Sequence, residues 1–215
     1  MDFDVRLIHD RPRSPVLRFY KWRVPTISLG YLQKPEDLEL ERCYCDGLEV
    51  VIRPTGGRAI YHWQELTYSL YIPPGHELAE KSIMESYRTI SECLAEGLRI
   101  LGADVELAAA TRGSLKNPSC FSSHARYEVV WNGRKLIGSA QRRLPQGGFL
   151  QQGSILLSSS YLSLTSYLVN KVALEGSITL EEILGFIPNE NKLISAIVDG
   201  FRKVLKVEFK RGQYL

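Results

Sequence analysis

No run of apolar residues in this sequence is long enough to cross a bilayer; each is broken within a few positions. The first ten residues carry Asp2, Asp4 and Arg6 and lack the apolar stretch of a signal peptide, so the expected compartment is the cytoplasm. Charge of one sign is also lacking. Lys and Arg number 27 against 24 acids, a net +3, which falls short of the strongly basic face that nucleic acid demands. Neither nucleic acid nor a membrane is therefore an expected partner. Cysteine is scarce, with four residues at Cys43, Cys45, Cys93 and Cys120. Cys43 and Cys45 have no second Cys or His pair nearby at ligand spacing, so no metal site is expected and the thiols should be reduced. Repeats, low-complexity runs and long linkers are missing too. What remains, 215 residues with 44% hydrophobic and 24% charged, is room for one ordinary domain or two small ones with a packed core.

Short β-branched and aromatic runs at Val16–Tyr20 and Thr26–Leu32 read as strands separated by Pro25. Pro35–Cys45 reads as a short helix stopped by Gly47, Leu48–Arg53 as a strand, and Ala59–Ile72 as extended chain on either side of a turn. Ile83, Tyr87, Ile90, Leu94, Leu98 and Leu101 recur every three or four residues, which predicts a helix laid on a sheet and ended by Gly102. Tyr127–Trp131, Asn132-Gly133 and Arg134–Gln141 form a hairpin signal, because Asn-Gly accepts the positive φ of a tight turn. A strand at Phe149–Leu157, a capping box at Thr179–Glu182 and a helix at Asn191–Leu205 follow, with Glu208–Tyr214 as an edge strand. The sum is an α+β fold.

Two stretches have compositions that folding alone does not require. The first is Arg53-Pro-Thr55-Gly56-Gly57-Arg58-Ala-Ile-Tyr-His62, followed by Glu65-Leu-Thr-Tyr-Ser69. Adjacent glycines let backbone amides approach a ligand closely; the same residues also fit a hairpin turn flanked by solvated arginines. The second holds Cys120, in a loop rich in Gly, Ser, Asn and Pro, and Lys135 just after the Asn-Gly turn. A nearby ammonium would favour the thiolate and make Cys120 a nucleophile; the residues alone favour a buried loop cysteine and a surface hairpin lysine. His62 and His124 offer a rival Cys–His arrangement, with His62 able to contact substrate or to end a strand.

At these residues the sequence resembles the biotin/lipoate A/B protein ligase superfamily, and within it the octanoyltransferases of the LipM type. The resemblance is carried by Leu17–Trp22, Ser28–Gln33, Arg53–Ala59 with His62, Glu65–Ser69, Ser119–Phe121, Lys135–Gln141 and Gly153–Leu156, in order and at the family's intervals. It implies a mixed β-sheet flanked by helices, like the catalytic domain of biotin ligases and class II synthetases, with residues 1–215 as one such domain. It also implies a reaction: octanoyl passes from acyl carrier protein to a lysine of a lipoyl domain, such as the glycine-cleavage H protein or a 2-oxoacid dehydrogenase E2, with no cofactor and no ATP. Cys120 would carry the acyl group as a thioester and Lys135 would lower its pKa. Arg53, Thr55, Gly56, Gly57 and Arg58, with Gly138, Ser139 and Gln141, would border the acyl and phosphopantetheine channel, and His62 would touch substrate. Arg112, Arg126, Arg142 and Arg143 would form a docking patch for the acidic carrier.

Three departures carry expectations. The family's opening helix, with its Asn-Met-x-x-Asp pattern, is expected to be absent, leaving the acyl pocket covered differently. His124 stands where Pro is frequent, and Gln152 stands where His is common, which removes a titrating group from that position. The rival enzymes are an ATP-dependent lipoate–protein ligase and a LipL-type amidotransferase. Cys120 and Arg58 disfavour the first, and Thr55-Gly-Gly-Arg58 disfavours the second. A catalytically silent acyl-protein binder would need neither Cys120 nor Lys135.

Overall fold

The computed structural model describes residues 1–109, 126–159, 164–170 and 176–212. Its first element is a helix, α1 (Asp2–Asp10), where none was expected. Asp2 and Asp4 sit in its first turn, favourable to the helix dipole. Phe3, Leu7 and Ile8 bury its inner side against Tyr71, Leu144, Leu150 and Val16. Asp4 is fully buried. It accepts hydrogen bonds from Arg18 Nη1 (3.1 Å), Tyr20 Oη (3.2 Å), Ser69 Oγ (2.7 Å) and Gln152 Nε2 (2.7 Å). Met1 and Asp4 thus stand at the Met-x-x-Asp spacing of the family's opening helix.

The remaining elements are β1 (Val16–Tyr20), β2 (Thr26–Leu29), α2 (Leu40–Cys45), β3 (Glu49–Ile52), β4 (Ile60–His62), β5 (Glu65–Ile72), α3 (Glu77–Glu80), α4 (Ile83–Ile100), β6 (Glu106–Leu107), β7 (Val129–Trp131), β8 (Arg134–Arg143), β9 (Phe149–Leu156), α5 (Leu180–Leu184) and α6 (Glu190–Leu205). They build a six-stranded sheet in the order β1-β5-β9-β8-β7-β6 and a three-stranded sheet in the order β3-β2-β4. All pairs of the large sheet are antiparallel; in the small sheet β2 runs parallel to β3 and antiparallel to β4. The α+β reading, mixed strands flanked by helices, holds, with parallel pairing of named strands confined to the small sheet.

Side chains alternate across a strand, so register decides what each face carries. Two cross-strand rows, Arg18–Ser69–Gln152–Ala140 and Tyr20–Thr67–Ser154–Gly138, share one face of the large sheet. The row between them, Phe19–Tyr68–Gly153–Ser139, shares the other. A Cβ on Gly153 would stand 2.4 Å from Tyr68 Cε1, so only glycine lets that ring lie across the sheet. On this second face Leu66, Tyr68, Leu70, Ile137 and Ile155 pack with Ile90, Leu94 and Leu98 of α4 and with Ile197 and Phe201 of α6. Ser82 and Glu85 close a capping box at the start of α4.

Several boundaries shift for physical reasons. The strand from Thr26 stops at Leu29 because Gly30 meets the glycine loop, where a Cβ would lie 2.0 Å from Gly57 O. The helix expected over Pro35–Cys45 breaks after a 3-10 turn at Pro35–Asp37, since Leu38 bridges Leu168 and Glu39 N donates to Tyr167 O. Ile83, expected on the buried face of its helix, is 55% exposed at the first turn. The edge strand after Glu208 does not form through residue 212; Lys206, in the left-handed region at φ 56°, ends α6, and the rest lies outside the described residues. The hairpin at Asn132-Gly133 forms as expected, with φ of 47° and 72°. Among the described residues no helix is long and apolar enough to cross a membrane.

Candidate active site

Between the large sheet and the small one lies a cleft with an empty volume of about 290 Å³ counted out to its mouth. Met1 of the leading turn, Tyr20, Trp22, Ile60, Ala140 and Gly153 give it apolar walls, while Ser28, Arg53, His62, Thr67 and Gln152 supply the polar groups. Each polar group is held by a partner.

The glycine loop is built around Arg53, which is 3% exposed. Its guanidinium donates to Gly56 O (2.7 Å from Nη2), Arg58 O (2.7 Å) and Ser28 O (2.9 Å), and Nη1 also reaches Ser28 Oγ at 3.1 Å. Gly57 adopts φ 87°, and a Cβ there would crowd Arg53 Nη2 at 2.9 Å. Arg53 is thus the clamp of the loop, and Arg58 is half-buried beside it. Thr55 Oγ1 donates to Gln152 Oε1 (2.8 Å), and Gln152 Nε2 donates to Asp4 Oδ2. Loop, central strand and first helix are joined through that one amide.

His62, at the end of β4, lies 2.7 Å by Nε2 from Ser28 Oγ and 3.3 Å by Nδ1 from Glu65 Oε1. Glu65 accepts further hydrogen bonds from Thr67 Oγ1 and Ser154 Oγ, both at 2.6 Å. The Trp22 ring stacks on the imidazole, centroids 4.5 Å apart and planes at 26°, and its Nε1 donates to Thr67 Oγ1. Burial, reinforced by Asp4, pushes the Tyr20 phenol above its ordinary range.

Lys135 occupies β8 with no exposed surface, and its ammonium is ion-paired with Glu128 Oε1 at 2.5 Å. A bulge between Val129 and Val130 and backbone bonds to Gly176 O and from Ile178 N fix its position. The surface lysine that the sequence also allowed is ruled out. Sequence reasoning gave no role to Glu128 or Asp4, nor to Ser28 and Glu65 within the motifs that contain them, because their roles depend on register.

Ser139 and Gln141, expected along the channel, turn the other way. Ser139 Oγ meets Tyr68 Oη at 2.7 Å, and Gln141 meets Ser86 and Gln151 beneath α4. The two-residue period puts Ala140 on the cleft side in their place, with Gly138 sharing its face. Burial pushes the Tyr68 hydroxyl up to about 12. Arg142 donates to Pro54 O and covers the Tyr31 ring, and Arg143 donates to Ala79 O, Lys81 O and Ser86 Oγ, so both brace loops from within. Arg126 is exposed, over Tyr127. Cys120, His124 and Arg112 lie outside the described residues. Burial pushes the Cys93 thiol up to about 12 and raises that of Cys43, so neither is a ready nucleophile. Among the described residues no three metal-ligating side chains cluster.

The antiparallel sheet backed by two helices, with a small mixed sheet beside it, is a fold shared with solved lipoate–protein ligases. A crystal structure of lipoate-protein ligase A bound with ATP superposes with TM-score 0.79 at 22% identity, over 98% of this chain and 81% of that one. A structure from a study of the bipartite lipoate protein ligase of Thermoplasma acidophilum and its E2 lipoyl domain gives 0.73 at 20% identity, over 98% and 82%. Residues 1–202 match the model of the lipoyl protein ligase A/B catalytic domain, and the chain belongs to that family. Among curated relatives, octanoyltransferase LipM of Clostridioides difficile is 47% identical over 146 residues, 66% of this chain and 54% of its own length. The enzyme of the same name from Anoxybacillus flavithermus is 44% identical over 66% of this chain and 53% of its own length. The match thus spans about half the length of these two relatives. The Moorella thermoacetica octanoyltransferase LipM is 40% identical over 99% of this chain and 83% of its own length.

Proposed function

We propose that this chain is an octanoyltransferase of protein lipoylation, with residues 1–215 acting as one catalytic domain. It would take octanoyl from octanoyl-acyl carrier protein onto Cys120 and pass it to a lysine of a lipoyl-domain protein, such as the glycine-cleavage H protein or a 2-oxoacid dehydrogenase E2. The observation that carries the reading is Lys135: a wholly buried ammonium, ion-paired with Glu128, on the strand where the resemblance asks for a thiol-activating cation. A core built only for stability is served as well or better by an apolar side chain at such a site. The octanoyltransferase relatives at 40–47% identity support the same reading.

In this mechanism Cys120 attacks the donor thioester as thiolate, one C–S bond forming as the other breaks, and the phosphopantetheine thiol departs. The exchange is nearly isoenergetic, and the amide formed next lies downhill, so neither ATP nor a cofactor enters. The apolar walls that Met1, Tyr20, Trp22 and Ile60 give the cleft suit a medium hydrocarbon chain. Its burial offers roughly 5–6 kcal/mol at ~0.8 kcal/mol per methylene. Arg53, Thr55, Gly56, Gly57 and Arg58 shape the rim, with Gly138 beneath. The expected compartment remains the cytoplasm, where both carriers would be met.

Intact mass spectrometry after mixing with octanoyl-acyl carrier protein tests the reading. An octanoyl adduct on Cys120, lost in Cys120→Ser, and ATP-independent modification of a lipoyl domain are expected. A requirement for ATP and free octanoate, or near-normal turnover in Cys120→Ser, would overturn it. Octanoyl-H protein as the only competent donor would point to the amidotransferase instead.

A further inference from the structure

Lys135 is engaged with Glu128 and is not among the residues lining the cleft. The imidazole that does line it is His62, and its partners fix which nitrogen does what. Nδ1 faces the Glu65 carboxylate, which can only accept, so the ring proton sits there. Ser28 Oγ already accepts from Arg53 Nη1 at 3.1 Å, which leaves its own hydrogen for His62 Nε2 at 2.7 Å. Trp22, stacked on the ring and tied to Thr67, blocks rotation. Two hydroxyls anchor Glu65 at the far end. The result is a hydroxyl–imidazole–carboxylate chain on three strands, open to the cleft at Ser28 and His62.

We infer that Ser28, His62 and Glu65 form a proton relay that deprotonates the incoming lysine of the acceptor protein. The inference rests on the acyl-transfer reading above and assigns the second half-reaction a base distinct from Lys135. A lysine side chain, with an ordinary pKa of about 10.4, arrives almost wholly as ammonium at neutral pH. Its proton passes to Ser28 Oγ as the Ser28 hydrogen moves to His62 Nε2, and Glu65 steadies the imidazolium. The freed nitrogen lone pair bonds to the thioester carbon and the C–S bond breaks. The remaining ammonium-type proton of the adduct leaves with the sulfur as a thiol, and the imidazolium returns its proton to water.

The test separates the two half-reactions and uses two nucleophiles. With the full chain and octanoyl-acyl carrier protein, the acyl-thioester of His62→Gln is formed first and isolated, so that any effect on its formation is kept apart from the second step. Transfer from it to a lipoyl-domain lysine should fall by about 100-fold or more. Hydroxylamine, already neutral at pH 7, needs no base and should clear the same acyl-thioester as fast as in the wild type. Glu65→Gln, which keeps hydrogen-bonding capacity at the anchor, should show the same split with a smaller loss, and it stands in if His62→Gln fails to fold. Lysine transfer near the wild-type rate in these variants, or equal slowing of both nucleophiles, would overturn the relay while leaving the transferase reading intact. Failure of the wild-type chain to form any acyl-thioester would overturn the transferase reading and the relay with it.

Discussion

Glu128 shows how much of the site depends on a side chain that carries no motif. Its carboxylate meets a wholly buried lysine, so Glu128→Ala should cost about 3–5 kcal/mol by removing a buried charge partner. A urea midpoint lowered at unchanged slope would register that loss, and Glu128→Gln should be milder. Cysteine chemistry offers a second check. With burial raising their thiols, Cys43 and Cys93 should resist iodoacetamide at pH 8 in the folded chain, whereas exposed Cys45 should label. Peptide mapping before and after unfolding reads both outcomes. Arg53 to His62 and Lys135 were legible as a site because glycine pairs and a lysine after a tight turn are conspicuous in composition. The partners of Asp4, Glu65 and Gln152 were not, because where a polar side chain points depends on residues dozens of positions away. Gln152 shows this well: its amide joins Thr55 to Asp4, a link no local window contains.

Among elements, α4 was readable from its period, yet its contact with α6 was not. Gly97 and Gly200 let the two helices touch: a Cβ on Gly97 would stand 2.5 Å from Ile197 Cα, and one on Gly200 would stand 2.3 Å from Cys93 O. In the sequence both glycines look like weak points of a helix, worth about 1 kcal/mol against them. Gly97→Ala should therefore destabilise by about 1–3 kcal/mol through overpacking, although alanine is the better helix former. Calorimetric unfolding would show the direction, and a stabilised variant would refute close helix contact. The glycine loop has the same logic at Gly30, whose Cβ would strike Gly57 O. Gly30→Ala should displace the loop and reduce acyl-thioester formation more than it lowers thermal stability. The hairpin, the capping box of α5 and the strands other than β6 were visible because turn and cap residues act locally. The opening helix was not, because its reason for existing is a pocket for one carboxylate made by three other strands.

At the scale of the molecule, the two sheets enclose the cleft and α1 closes its rim, with Met1 in the lining. The expectation that this cover would be missing gives way to a cover docked from the first turn. Its carboxylate draws together residue 18 on β1, residue 69 on β5 and residue 152 on β9. Most of the polypeptide must therefore have left the ribosome before the first turn can find its seat. Helix α1 therefore settles no earlier than β9, and nascent chains shorter than about that span should remain open to protease at this helix.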